Sequence, residues 1–547
     1  AAAGCAAAAN DLGWLLQNGL GLPRDLAAAR QWYARAASAG HAKGAFNLGW
    51  LLESGEGGAA DLPAAVRLYR RAAALGSSLA QNNLGWCYQY GRGVERDEAE
   101  AAEWYGRAAG AGNASAQSNL GYLFLHGAGV VRDYGRARAL FELAAAQGNA
   151  FAMQHLGRMS QQGLGGQAAP GAAAAWYSRA AAHGNSGGLY NLGFCYQHGI
   201  GVEQDLGHAR RLYKAAARAG NKHGHFHLGL LHEKGADGPP DYARAARCYA
   251  AAAAQGHATA LNNLGWCRQH GLGVPRDAAA AFALYARAAA LGSAEGENNL
   301  AWMHQKGLGT PRDPAAALLW YRRSAAQGNT QAINNLGFLY EQGLAVPRDR
   351  AKALAYYRRA AERGNCQALN NLARAHELGL GTEVDAERAA KYYHLAALKN
   401  NAHGLWKLGR FAELGTCGPA DLAAAADYYR RAAKQGHAEA QACLARFLDV
   451  GCGGVARDKA RALRLYKAAA KAGSVRALLA LAALYEAGSR LVPRSSEKAF
   501  RLRLRAAEAG DLEQQRLVAR RLEKGRKGAR KDPAAARAWA ARAAATA

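Results

Sequence analysis

Methionine and phenylalanine are scarce in this 547-residue chain, with 3 and 11 residues against 66 glycines, and much of its nominally hydrophobic half is alanine. A chain so poor in large apolar side chains cannot fill one large core. Many thin cores are expected instead of the roughly three or four globular domains that length alone suggests. Acidic side chains are also few: 41 Asp plus Glu stand against 69 Lys plus Arg, a formal charge of +28 that favours acidic partners at low salt. Apolar runs are short and Ala-rich, below the roughly 18 to 20 residues of a membrane span, so no membrane insertion is expected. The nine cysteines are odd in number, form no CxxC and fall irregularly. That indicates neither a disulfide framework nor a zinc site, and favours a reducing compartment such as the cytoplasm. The chain begins Ala1-Ala2-Ala3-Gly4 without Met and stops inside a helical pattern at Ala547, as a fragment would, which leaves any targeting peptide out of view.

What the chain does have is a period. A small residue recurs at Gly13, Gly49, Gly85 and onward in steps of 36 to Ala445, with Ala482 and Ala519 following at steps of 37. The residue before it is Leu from Leu12 to Leu481, with Val518 the exception, and reads as a core column. Gly in a helix costs about 1 kcal/mol relative to Ala, so its recurrence beside a buried Leu implies a neighbour packed too close for a larger side chain. Glycine pairs such as Gly91/Gly93 and Gly271/Gly273 then end the first helix. An acidic column including Asp25, Asp61, Asp97 and Asp458 caps a second helix. Eight residues on stands a second core column, mostly Tyr, from Tyr33 to Tyr466. The pattern predicts an all-α protein, an α-α superhelix (a right-handed solenoid) of about fifteen 36-residue helix-pair repeats. Residues 1–547 are expected to form one continuous solenoid, with 1–40 the first repeat, 41–472 regular repeats and 473–547 divergent ones. In the last stretch Ser495 replaces the capping Asp, and Arg503 and Ala540 replace the Tyr.

One repeat written out is Asn83-Leu84-Gly85-Trp86-Cys87-Tyr88-Gln89-Tyr90-Gly91-Arg92-Gly93-Val94, then Asp97 and Trp104-Tyr105-Gly106-Arg107-Ala108-Ala109. It resembles the Sel1-like repeat, which is similar in fold to tetratricopeptide repeats. The resemblance covers nearly the whole chain and implies an adaptor rather than a catalyst. Relatives include adaptor subunits of ubiquitin-ligase complexes in endoplasmic-reticulum-associated degradation, chitin-synthase activators and bacterial host-interaction factors. A cysteine-rich branch, linked to β-lactam binding, carries one disulfide per repeat, and this chain lacks those paired Cys.

Candidate chemistry is thin. Ser495-Ser496-Glu497-Lys498 fits the S-x-x-K pattern of β-lactamase-like hydrolases, but the companion SDN and KTG motifs are absent. His223 and His227 form an i, i+4 pair beside His225 and His232, without an HExxH. Cys87, Cys195 and Cys267 occupy a column that elsewhere holds Leu, Met and Phe, so they read as core thiols. No catalytic residue, cofactor, metal or small-molecule substrate is expected.

The column with functional promise follows the small residue. It reads Trp14, Trp50, Trp86, Tyr122, Arg158, Phe194, Leu230, Trp266, Trp302 and Phe338, then Arg374, Arg410 and Arg446. By the resemblance it faces the concave groove. There the rings would anchor a protein or peptide, and the arginines would meet an acidic or phosphorylated segment. A flanking column of Gln, Glu and Asp, from Gln17 to Asp449, would line the same groove. Nucleic acid is the lesser alternative, because basic pairs such as Arg70-Arg71 and Arg358-Arg359 fall in second helices, away from the rings.

Overall fold

The computed structural model describes residues 6–235 and 238–546, and among them there are thirty helices and no strand. Every helix spans 13 residues except the last, which spans 14. Within each of two units they form an all-α solenoid, where a first helix packs most extensively on the second helix of its own repeat and then on the second helix of the repeat before, as Ala42–Ser54 does on Leu62–Ala74 and Leu26–Ser38. The chain divides into two compact units, up to Leu284 and from Tyr285 onward. In the first unit, helix Ala6–Asn18 touches helix Ala42–Ser54 and Ala150–Gln162 touches Ser186–His198. In the second, Ala438–Val450 touches Val475–Ala487. First helices therefore crowd together more than second helices do.

The core sits between the two helices of each pair. The Tyr column is fully buried at Tyr33, Tyr69, Tyr105, Tyr213 and Tyr249 in the first unit, and at Tyr321, Tyr393 and Tyr429 in the second. The small-residue column explains itself against these rings: a Cβ added at Gly85 would stand 2.8 Å from the Tyr105 ring. The closest neighbour is the ring carried by the paired helix, and that helix's backbone follows, with the Ala101 carbonyl oxygen at 3.1 Å. Each hydroxyl is satisfied by the Gln or Glu sixteen residues earlier, as in Tyr105 to Gln89 at 2.8 Å and Tyr69 to Glu53 at 2.7 Å. The flanking polar column thus holds the core tyrosines.

Second helices start on the acidic column, where Asp61 accepts from the Ala64 N–H at 2.9 Å. First helices end on a left-handed glycine such as Gly91 (φ 67°). The second glycine of a pair such as Gly127/Gly129 has another cause. A Cβ at Gly129 would stand 2.1 Å from the Glu98 carbonyl, so this loop lies against the start of the preceding repeat's second helix. The divergent end keeps the architecture. Ser495 caps helix Ser496–Glu508 in place of Asp, accepting from the Lys498 N–H. Arg503, in place of Tyr, donates to Glu486 at 2.8 Å, so an ion pair takes over from the phenol.

Candidate functional site

Helical geometry puts the residue after the small column on the side of the first helix turned away from the core Tyr. The structure leaves all of those residues at least partly accessible. Trp14 is 50% exposed, Trp50 39% and Trp266 36%, while Trp86, Tyr122, Phe194, Trp302 and Phe338 are half-buried, Tyr122 and Phe194 against the His155 and His227 rings of the next repeat at 5.7 and 5.9 Å. In the first unit Trp50 and Trp86 stand on either side of a cleft of about 370 Å³, completed by Glu53, Ser54, Asn82 and Arg92. The Arg92 guanidinium lies 4.7 Å over the Trp86 ring, with its nitrogen 3.9 Å from a Glu53 oxygen.

Sequence reasoning missed a second ring column four residues further on. Tyr90 packs 5.4 Å from Trp86, His126 4.4 Å from Tyr122, His198 4.3 Å from Phe194 and His270 5.0 Å from Trp266. The i, i+4 relation was the available signal. Also missed was a ladder between successive first helices. Asn47 donates to Asn10 at 2.9 Å and Asn119 to Asn82 at 3.0 Å. In the second unit Asn335 donates to Asn298 at 3.1 Å and Asn371 to Asn334 at 2.9 Å. The recurring Asn-Asn doublet before Leu announced it.

The cationic end differs from expectation. Arg374 donates to both oxygens of Glu341, at 2.7 and 2.8 Å, and Glu341 also accepts the Tyr357 hydroxyl. Arg446 pairs with Glu413. These two arginines are therefore already engaged by carboxylates of the preceding repeat. Arg410 forms no ion pair among the described residues, because Glu377 is taken by Lys407 at 2.9 Å. Arg158 points to His126 and His155, each 3.4 Å away.

The remaining candidates fall into structural places. His227 is half-buried among Tyr190, Phe194, Tyr213 and Phe226, and burial, with neighbouring His223, lowers it to about 4. His223 turns its ring to His257 at 5.0 Å. Among the described residues no three His, Cys, Asp or Glu side chains group as metal ligands. Cys87, Cys195 and Cys267 are buried, and burial pushes their thiols up to about 12, 11 and 11. The Ser495 hydroxyl is occupied as a helix cap, and the Lys498 ammonium stands 5.6 Å over the Tyr485 ring. The basic pairs lie on exposed second-helix surface, where Arg70 donates to the Tyr88 hydroxyl at 2.6 Å. No helix is long and apolar enough to cross a membrane among the described residues.

With this geometry in view, the comparisons are direct. The Sel1 repeat matches fifteen consecutive segments: residues 6–41, 42–77, 78–113, 114–149, 150–185, 186–221, 222–257, 258–293, 294–329, 330–365, 366–401, 402–437, 438–474, 475–511 and 515–545. The chain is similar to c5321, a protective antigen of uropathogenic Escherichia coli strains displaying an SLR fold. Identity is 32%, the match covers 80% of this chain and 94% of that one, and the TM-score is 0.57. A Sel1 repeat protein from Oxalobacter formigenes is 31% identical over 56% of this chain and 90% of its own, with a TM-score of 0.44. No curated protein matches. The helical repeat fold shared here is one typically used for protein–protein interaction.

Proposed function

Because this chain belongs to the Sel1 repeat family, we propose that it is a non-catalytic scaffold that binds a protein or peptide along the face of its first helices. The observation that carries this reading is the column of exposed rings at Trp14, Trp50 and Trp266, continued by half-buried ones and opened into a cleft between Trp50 and Trp86. Tryptophan supplies large contact area at low entropic cost, which is why it dominates binding energy at interfaces. Apolar side chains of the partner enter between the rings. Arg92, held over Trp86, offers a guanidinium for a carboxylate at the same place.

In the second unit the same column meets acidic or phosphorylated residues through Arg410, with Arg374 and Arg446 contributing what their bonds to Glu341 and Glu413 leave free. Surface ion pairs are worth about 0 to 1 kcal/mol, so rings carry affinity and arginines carry salt dependence. The test uses peptides selected from a displayed library on the full chain, measured by fluorescence anisotropy. Replacing Trp50 and Trp86 with Ala together should weaken them at least tenfold. Arg410→Ala should flatten the salt dependence of acidic ones. Equal binding by the double Trp variant, at low and high salt alike, would remove the first-helix face as the site.

A further inference from the structure

On the second helices of the first unit, one groove differs from every other. Helix Leu206–Arg218 carries Arg210, Arg211 and Lys214, three before, two before and one after the core Tyr213. Of all fifteen repeats only this one has a cation at all three of those places. The next second helix, Tyr242–Ala254, adds Arg244 and Arg247. Between them, over Leu228 and Cys248, lies a groove of about 580 Å³ lined by all five cations. Neither helix has an acidic side chain within its span. Asp241, which caps the second, is paired with Arg244 at 3.3 Å. Arg211, Lys214 and Arg247 form no ion pair among the described residues. Arg211 lies 3.2 Å from the His208 ring, and the exposed Asp205 cap is held below the usual carboxylate range first by its backbone bond to His208 and then with help from the Arg211 guanidinium.

Like charges gathered on two adjacent helices repel, and that repulsion is relieved when a compact anion with more than one charge lies between them. Arg is suited to this, since its planar fork meets phosphate oxygens in pairs. The volume is that of a small-ligand site, and the apolar floor accommodates the carbon atoms that carry a phosphoryl group. His232 completes the lining, and the groove offers bases no large aromatic platform. Tyr213 and Tyr249 lie fully buried beneath the groove, and no Trp, Tyr or Phe lines it.

We propose that this groove is a phosphoryl-binding site that seats phosphorylated side chains of a partner protein, a second attachment point on the face away from the aromatic column. It rests on the reading of the chain as a protein-binding scaffold, but uses different residues. The two therefore fail separately.

The experiment uses the full chain and a labelled peptide of glycine and serine carrying two phosphoserines, followed by anisotropy at low salt. Its unphosphorylated and double-Glu forms, and a single-stranded oligonucleotide of matching charge, are run beside it. The diphosphorylated peptide is expected to bind saturably and better than the other three. Its affinity should drop at least tenfold in the Arg211→Gln/Lys214→Gln/Arg247→Gln variant, whose three side chains are exposed and whose fold is checked by circular dichroism. Trp50→Ala with Trp86→Ala should leave it unchanged. Undiminished binding by the triple variant, no preference for phosphoserine over Glu, or an oligonucleotide that binds more tightly with the same dependence on the three cations would each overturn the assignment. Loss in the Trp variant instead would place the phosphopeptide on the first-helix face and equally overturn it.

Discussion

At the scale of single residues, the recurring unit is a buried phenol bonded to a polar side chain sixteen residues earlier. The acceptor varies, and its chemistry sets what the bond contributes. Gln89 is a neutral, half-buried amide, whereas Glu341 is a nearly buried carboxylate that accepts from both Tyr357 and Arg374. Hydrogen bonds to charged groups contribute about 1.5 to 3 kcal/mol against about 0.5 to 1.5 for neutral ones. Tyr357→Phe should therefore destabilise by the larger amount and Tyr105→Phe by the smaller. The two are compared as shifts in urea midpoint of the full chain, monitored at the affected repeat. Equal shifts would show that the Glu341 carboxylate gains nothing from the phenol. The Arg374 pairing also explains a misreading. Sequence spacing placed Arg374 in the column of the exposed rings, but its partner Glu341 lies 33 residues away in the preceding repeat, a relation no local pattern exposes.

Among elements, the two helices of a repeat begin differently. Second helices start mostly on exposed or half-exposed Asp, which was legible because one residue type dominates the column. First helices start on a mixed set, Ser77, Asn113, Asn149, His257 and Ser293 among them, which hid their common role as caps. The physical cause of the difference is burial. These five caps are buried or half-buried, where a full charge would lose hydration, and they are neutral acceptors, whereas the divergent end uses Asp511. His257 caps through Nδ1, which accepts from the Ala260 N–H at 3.2 Å and can do so only while unprotonated. Burial first, then His223 and Lys222, lower it to about 4. Its ordinary value is about 6.5, so the unfolded chain takes up a proton that the folded chain refuses. The stabilisation is complete above about pH 6.5 and is lost as pH falls toward 4. Thermal unfolding followed by circular dichroism should move down across that window. The shift should shrink in His257→Asn, which keeps the cap with an acceptor that does not titrate. An undiminished shift in that variant would assign the acid sensitivity to other groups.

For the molecule as a whole, the 36-residue period was enough to give the class, the pairing of helices and the buried Tyr and Cys columns, because a repeat prints the same contact many times. The candidate site was only half legible. The exposed rings followed from helical spacing, but the ring partners at Tyr90, His126, His198 and His270, the Asn ladder and the engagement of Arg374 and Arg446 depend on which side chains meet between neighbouring turns and repeats. A solenoid in which each repeat touches only its neighbours also has a definite response to damage. Tyr105→Ala removes a fully buried ring that fills the space beside Gly85, together with its bond to Gln89. Truncating a buried aromatic costs about 3 to 5 kcal/mol, more than one repeat interface can lose unnoticed and less than the sum over many. Hydrogen exchange followed by mass spectrometry should lose protection in residues 42–77, 78–113 and 114–149, the altered repeat and its neighbours, while residues 330–365 and 402–437 exchange as in the parent chain. Faster exchange of equal size in all five segments would mean that the chain opens as one cooperative body, and the nearest-neighbour account would be lost.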